Sequence, residues 1–128
     1  MGRVVLDLPF PPSVNAIWRK WRGGVYRSDR YKAWSQEAGQ ELMVQRPGKT
    51  KGIYDLTLQF RRKDARRIDI GNLEKPVSDL LVEHGVIEDD SLARRITLEW
   101  VPDGPPCRAI VEPVEDQSVS AHKMRRVA

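Results

Sequence analysis

The sequence predicts a small α/β domain of the α+β type, in which two main helices pack on one mixed β-sheet of about four strands. Short segments that alternate apolar and polar residues predict the strands, and two longer segments with apolar residues three or four positions apart predict the helices. Proline- and glycine-rich breaks separate these segments. The 128 residues, of which 40% are hydrophobic and 31% charged, are enough for a single core.

The first predicted strand spans 3–8 (RVVLDL), and the prolines that follow it end it and keep the next residues extended. The chain then enters a segment rich in tryptophan and arginine. Gly23-Gly24 within that segment predicts a hairpin tip or a mobile loop.

The first helix is predicted over 29–45, with Ser28 as its N-cap and Pro47 just beyond its end. Its apolar face is formed by residues spaced three or four positions apart, namely Tyr31, Trp34, Ala38 and Leu42. The second strand is predicted over 53–60, where one face is apolar and consists of Leu56, Leu58 and Phe60.

The second helix is predicted over 73–83, with Asn72 as its cap and Pro76 in its first turn. Two further strands are predicted over 95–101 and 108–111, on either side of a turn rich in proline and glycine. The predicted order of elements is therefore β-α-β-α-β-β.

Composition limits both the domain and the classes of function. We expect the folded domain to span 1–112 and the polar, basic segment 113–128 to be a disordered tail. A single cysteine excludes an intramolecular disulfide and a cysteine-rich zinc site, and two distant histidines do not suggest a histidine metal cluster. No apolar run approaches the roughly 20 residues of a membrane span, and no signal-peptide pattern is present, so we expect a cytoplasmic protein with no membrane contact.

Positive charge is concentrated in two clusters, in a chain whose formal net charge is +4. The first alternates basic with aromatic residues and consists of Trp18, Arg19, Lys20, Trp21 and Arg22. The second precedes the second helix and consists of Arg61, Arg62, Lys63, Arg66 and Arg67. Basic side chains beside aromatic rings suit phosphate contacts and stacking on bases, so the clusters predict DNA contact. The alternative is a solvated loop whose two tryptophans pack inward.

Three acidic residues predict a divalent-metal site: Asp69, which lies between two isoleucines, and the neighbours Asp89 and Asp90. Carboxylates hold Mg²⁺, which polarises a scissile phosphate and activates water. An arginine is an alternative partner for Asp69, and Asp89-Asp90-Ser91 is equally typical of a turn and helix cap. Each acidic element alone favours a structural role, and only their combination favours a metal-ion nuclease.

Lys75 is the candidate for contact with the phosphate, because it is expected on the first turn of the second helix, close to Asp69 in sequence. Asp79 follows four residues later, where an i,i+4 ion pair could orient the lysine. A solvated surface lysine is the alternative.

Two stretches resemble the RusA family of Holliday-junction resolvases. The first, 8–15 (LPFPPSVN), resembles the family's pattern of a strand, a proline pair, serine and asparagine. The second runs from 69–75 (DIGNLEK) through Asp79 to 89–91 (DDS) and resembles the catalytic core of the family. Neither motif is unique alone, but the pair in this order is specific, and the similarity extends to about Val111.

This resemblance implies a homodimer that binds four-way junction DNA and makes paired, symmetric nicks with Mg²⁺, for which Mn²⁺ could substitute. By position, Asp69 and Asp90 match the essential metal-binding aspartates, and Asp89 is the adjacent acid. Lys75 matches the catalytic lysine, and Asn15 matches an asparagine expected near the DNA.

One position departs from the family pattern, because D-x-D-N becomes D-x-G-N with Gly71 in place of a carboxylate. Loss of this carboxylate should weaken Mg²⁺ binding. Glu74 is our candidate for the missing oxygen, ahead of Asp79 and Glu88, and we predict an active site that Glu74 compensates. The alternatives are a junction- or DNA-binding protein that has lost catalysis and a small basic adaptor that binds RNA or an acidic protein.

Overall fold

A computed structural model describes residues 2–16, 18–21, 24–62, 64–115 and 117. The helices and strands, in chain order, are β1 Val4–Leu8, β2 Trp18–Trp21, β3 Gly24–Arg27, α1 Asp29–Gln45, β4 Tyr54–Arg61, α2 Glu74–Glu83, β5 Ala93–Val101 and β6 Cys107–Pro113. Three short 3-10 turns accompany them, over Val14–Ala16, Ile70–Leu73 and Asp90–Leu92.

The main sheet contains four strands in the order β1-β6-β4-β5. Strand β6 is antiparallel to both β1 and β4, whereas β5 is parallel to β4. Parallel neighbours need a crossover connection, which Ile70–Leu73 and α2 provide here. The predicted α+β class, with a mixed sheet of four strands and two main helices, is confirmed.

The core lies between the helices and one face of this sheet. Alternate residues of β4 are buried, and they are Tyr54, Leu56, Leu58 and Phe60. Helix α2 contributes Val77, Leu80 and Leu81, and α1 contributes its predicted face of Tyr31, Trp34, Ala38 and Leu42. Each fully buried large apolar side chain stabilises the fold by about 1.5–3 kcal/mol. The opposite sheet face is polar and carries the ion pairs Arg94–Asp55 and Arg108–Asp7.

Local signals at the helix ends explain one correct boundary and one error. Ser28 caps α1, because its hydroxyl accepts a hydrogen bond from the N–H of Tyr31 at 3.1 Å. The prediction of Asn72 as the cap of α2 is wrong: Leu73 occupies that position and makes no side-chain cap bond. Asp69 instead caps the preceding 3-10 turn, which takes over the role expected of Asn72.

The region before α1 forms a hairpin of two strands, neither of which is among the strands predicted from the sequence. Strands β2 and β3 are antiparallel, and Trp21 pairs with Gly24, which confirms the hairpin interpretation of the glycine pair. The side chains of Trp18, Arg19 and Lys20, and the whole of Arg22, lie outside the described residues.

Ordered contacts continue past residue 112, the predicted end of the domain. Strand β6 extends to Pro113, and Val114 is buried. The Gln117 side chain accepts from the N–H of Ile53 at 2.6 Å and donates to its carbonyl at 3.0 Å. Residues 118–128 lie outside the described part, so the predicted tail stays a prediction there. None of the described helices is long and apolar enough to cross a membrane.

Candidate metal and phosphate site

Lys75 lies between two carboxylates contributed by different elements. Its Nζ is 3.0 Å from Oδ1 of Asp79, one turn later on α2, and 2.9 Å from Oδ2 of Asp90, at the start of the third 3-10 turn. The hydrogen bond to Asp90, followed by that to Asp79, raises the pKa of Lys75 above its ordinary value. The ammonium is therefore fully protonated at neutral pH and held in one place.

An open cavity of about 580 Å³ surrounds this triad. Most of its lining residues come from α2 and from the acidic loop that contains Asp89 and Asp90. The lining residues are Tyr31, Lys75, Asp79, Val82, Glu83, Asp89 and Asp90. Asp69 is not one of them. The structure thus brings Lys75, Asp79, Asp89 and Asp90 to one cavity and leaves Asp69 outside its lining.

Two of the predicted metal-binding aspartates, Asp89 and Asp69, serve as turn caps. Asp89 accepts hydrogen bonds from the N–H and the hydroxyl of Ser91, the former at 3.0 Å, and these bonds lower the pKa of Asp89. Asp69 accepts from the N–H of Gly71 at 3.0 Å. Because an ionised carboxylate has about four acceptor positions, a capping role leaves oxygen lone pairs for another ligand.

The negative charges of Asp90, Glu74 and Asp89 act on one buried group, the hydroxyl of Tyr54 at the start of β4. Tyr54 is fully buried, and its hydroxyl has no hydrogen-bond partner among the described residues. Burial raises the pKa of Tyr54, and the negative charges of Asp90, Glu74 and Asp89 raise it further. Glu74 itself accepts a hydrogen bond from the hydroxyl of Ser78.

Sequence reasoning missed Tyr54, because a tyrosine that begins an apolar strand looks like an ordinary core residue. Glu88, one of the weaker candidates for the missing oxygen, accepts from the N–H of Gly52 at 2.7 Å and so holds a loop. The charge of Glu88 is not one of those that raise the pKa of Tyr54.

The donor chemistry of this region fits a hydrated divalent cation. In the described part of the chain, no three histidine, cysteine, aspartate or glutamate side chains form a ready-made metal group. Mg²⁺ does not require one, since it keeps several waters and is often bound through one or two carboxylates together with substrate phosphates. Carboxylate oxygens are its preferred ligands, and a water of the ion could donate a hydrogen bond to an unsatisfied buried hydroxyl such as that of Tyr54.

The second basic cluster is partly held by its own chain. Arg61 donates from Nη1 to the carbonyl of Gly104 at 2.9 Å, and the guanidinium of Arg62 lies 4.4 Å from the ring centroid of Trp100. Arg66 pairs with Asp64 at 3.3 Å. Arg67 is exposed and makes no ion pair within the described ranges. Lys63 lies outside those ranges.

Asn15 lies in a turn next to the one that Asp69 caps. The 3-10 turn Val14–Ala16 contacts both Ile70–Leu73 and α2, and the N–H of Asn15 donates to Oγ of Ser13 at 3.2 Å. The proline-rich motif and the catalytic-core motif, which are far apart in sequence, are thus neighbours in the fold.

Carboxylates that can hold a divalent ion, together with a lysine that can contact a phosphate, are the groups that a metal-dependent phosphodiesterase site uses. A family model described as Endodeoxyribonuclease RusA matches residues 9–112. The chain is also 30% identical, over 91 residues, to the crossover junction endodeoxyribonuclease RusA of Enterobacteria phage HK97, an alignment that covers 70% of this chain and 76% of the phage protein. The chain therefore belongs to the RusA family of endodeoxyribonucleases.

Proposed function

We propose that this protein resolves four-way (Holliday) DNA junctions by paired, symmetric nicks, acting as a homodimer that requires Mg²⁺ or Mn²⁺. The observation that carries the proposal is the position of Lys75 between Asp79 and Asp90 in an open cavity, within a chain of the RusA family. The DNA strand to be cleaved has to present its phosphate to the enzyme, and an open cavity allows this.

The roles of the acids follow from their oxygens. Asp69, Asp89, Asp90 and Glu74 are the proposed metal ligands. When bound, the ion would polarise the phosphate and make a nearby water more acidic. Glu74 is favoured as the substitute for the carboxylate absent at Gly71, because it acts on Tyr54 together with Asp89 and Asp90.

Lys75 is the proposed contact to the phosphate. An ammonium group has three N–H donors, and two of them are directed to Asp79 and Asp90. The third is available for a phosphate oxygen, where it would stabilise the negative charge that develops during cleavage. The exposed fraction of the side chain, 51%, leaves the ammonium accessible to such a ligand.

DNA binding is proposed for the basic residues around this site. Asn15, Arg66 and Arg67 are candidates near Asp69, and the first basic cluster, with Trp18, Arg19, Lys20 and Arg22, is a candidate for a second contact. Lys63, from the second basic cluster, is a further candidate for DNA contact. Arg61 and Arg62 are candidates as well, and they also support the chain that carries them. A homodimer would supply the second active site that paired nicks need, and the open edges of the sheet at β1 and β5 offer surface for it.

The decisive experiment measures cleavage of a synthetic four-way junction in Mg²⁺. We expect the wild type to nick it, and Asp90→Asn and Lys75→Ala to be at least about 100-fold slower, since the first removes a metal ligand and the second removes the group that stabilises the developing charge. Asp103→Asn, a matched change on the exposed β5–β6 turn, should cleave like the wild type.

Two other outcomes would replace this proposal. Junction binding without any nicking by the wild type would favour the DNA-binding protein that has lost catalysis. In a gel-shift competition, equal or stronger binding to RNA than to four-way and duplex DNA would favour the basic adaptor.

A further inference from the structure

We propose that a small pocket beside Asp69 is a subsite for one backbone phosphate of the bound DNA. Three arginines line it, namely Arg30 from the first turn of α1, and Arg66 and Arg67 from the loop before Asp69. Ser13 and the apolar residues Phe10, Pro11, Ile68 and Leu73 complete the lining. This subsite deepens the proposed nuclease function and rests on it.

The protein balances only part of the charge of the pocket. No acidic side chain lines it among the residues that the structure describes. Arg30 and Arg67 are exposed and form no ion pair in the part of the chain that the structure describes, whereas Arg66 is paired with Asp64. Guanidinium groups that face one cavity repel each other, and an anion there relieves the repulsion. A phosphodiester suits this role because arginine binds phosphate oxygens through paired N–H groups.

The walls of the pocket make it small and firm. Its volume is about 150 Å³, and two of its wall residues, Pro11 and Leu73, are buried in the fold. Phe10 is held by aromatic neighbours, with its ring centroid 6.3 Å from Trp100 and 6.0 Å from Phe60. Apolar walls reduce the local dielectric response, which strengthens the attraction between the arginines and a phosphate. The hydroxyl of Ser13 accepts from Asn15, and its own hydrogen can be donated to an anion.

The pocket lies next to the proposed catalytic cavity. Leu73 lines the arginine pocket, and Lys75, two residues later, lines the cavity that contains Asp90. The first turn of α2 therefore separates the two. A strand with one phosphate in the arginine pocket would place a neighbouring phosphate on the Lys75 side. Because the ligand is a backbone phosphate, the contact should not depend on base sequence.

The test is the salt dependence of junction binding, measured by fluorescence anisotropy in EDTA so that cleavage cannot occur. Each neutralised phosphate contributes about 0.7 to 0.9 to the slope of log affinity against log salt. We expect Arg30→Gln to reduce the slope by about that amount and to weaken binding several-fold. Arg30→Lys, which keeps the charge, should retain the slope. Arg95→Gln, the same charge change on the sheet face without helices, is the control and should match the wild type.

The outcomes separate the subsite from the nuclease function. If Arg30→Gln binds with the slope and affinity of Arg95→Gln, the subsite is overturned, while cleavage by the wild type would leave the nuclease proposal intact. If Arg30→Gln shows the reduced slope and still cleaves at the wild-type rate when enzyme is saturating, the subsite is supported as a binding contact. Absence of junction binding by the wild type would overturn both proposals together.

Discussion

The two cavities on either side of the first turn of α2 differ in how their charges are balanced. In the acidic cavity, Lys75 is paired with both Asp79 and Asp90. In the arginine pocket, Arg30 and Arg67 have no ion pair within the described residues. The first cavity is organised by its own side chains before any ligand binds. The second has positive charge that only an external anion neutralises.

This difference predicts different consequences of mutation. Changes in the acidic cavity should lower the cleavage rate and metal affinity and leave junction binding in EDTA almost unchanged. Changes in the arginine pocket should weaken binding, most strongly at low salt, and leave the rate at saturation unchanged. The following predictions test the proposed metal and phosphate site, which includes the acidic cavity, in order of decreasing effect.

The largest effect should come from removing the Glu74 carboxylate, which we propose replaces the one absent at Gly71. Glu74→Ala should weaken Mn²⁺ binding by about 10- to 100-fold, the range typical of lost support at metal sites, and slow cleavage in parallel. A Cβ built at Gly71 would lie 3.4 Å from Oδ1 of Asp69, and the backbone there is not left-handed, so Gly71→Asp should fold. The double variant Glu74→Ala with Gly71→Asp should recover Mn²⁺ affinity, measured by electron paramagnetic resonance of free Mn²⁺.

Glu112→Ala, which removes an exposed glutamate from β6, is the control for that experiment. Equal Mn²⁺ affinity and equal cleavage by Glu74→Ala and the wild type would remove Glu74 from the mechanism. Recovery with Gly71→Asn in place of Gly71→Asp would show that the side chain rather than its charge is responsible.

Asp79→Asn should have an intermediate effect, because Asp79 positions Lys75 and is not proposed to touch the phosphate. We expect a drop in kcat of about 10-fold with little change in KM, in line with a misplaced catalytic group. The bond to Asp79 helps to raise the pKa of Lys75, so its loss lowers that pKa. Cleavage should therefore decline at a lower alkaline pH than in the wild type, which a pH–rate profile measures.

The raised pKa of Lys75 also makes the stability of the fold depend on pH. A raised pKa in the folded state stabilises the fold fully below the unfolded pKa of lysine, near 10.4, and this stabilisation is lost as the pH rises through the folded value. Asp79→Asn should therefore remove its share of this stabilisation at neutral pH, but the loss should be small because both groups of the pair are partly exposed. Asp79→Glu should rescue the pH profile, and an unchanged profile in Asp79→Asn would exclude the positioning role.

Tyr54→Phe should have the smallest effect. The change removes a buried hydroxyl that lacks a partner among the described residues, and such a group costs about 1–3 kcal/mol when it stays unsatisfied. We expect metal-free thermal stability to stay equal or to rise, and Mn²⁺ affinity to fall several-fold because an acceptor for a water of the ion is lost. Thr50→Val, which removes another buried hydroxyl, is the control. Lower metal-free stability with unchanged Mn²⁺ affinity would assign the Tyr54 hydroxyl to the fold alone.

The sequence predicts best those features that depend on neighbouring residues. The observed bounds of α1 match the predicted 29–45, because the Ser28 cap and the break at Pro47 are local signals. The Lys75–Asp79 pair also follows from helical spacing alone. The strands of the hairpin were missed because β2 and β3 are four residues each and have no clear alternation. Asn72 was chosen as a cap because the intervening 3-10 turn, capped by Asp69, has no distinct sequence signal.

The sequence by itself determined the helices, the four main strands, the excess of basic residues and the spacing of the acidic motifs. Only the tertiary structure decided that Asp90 reaches Lys75, that Arg30 and Arg67 line one pocket, and that Asp90, Glu74 and Asp89 raise the pKa of buried Tyr54. The helices and strands follow from local hydrogen bonds and side-chain periodicity, since the residues involved are a few positions apart. The second set depends on the parallel pairing of β4 with β5 and on the packing of α1 and α2, which bring together residues distant in sequence.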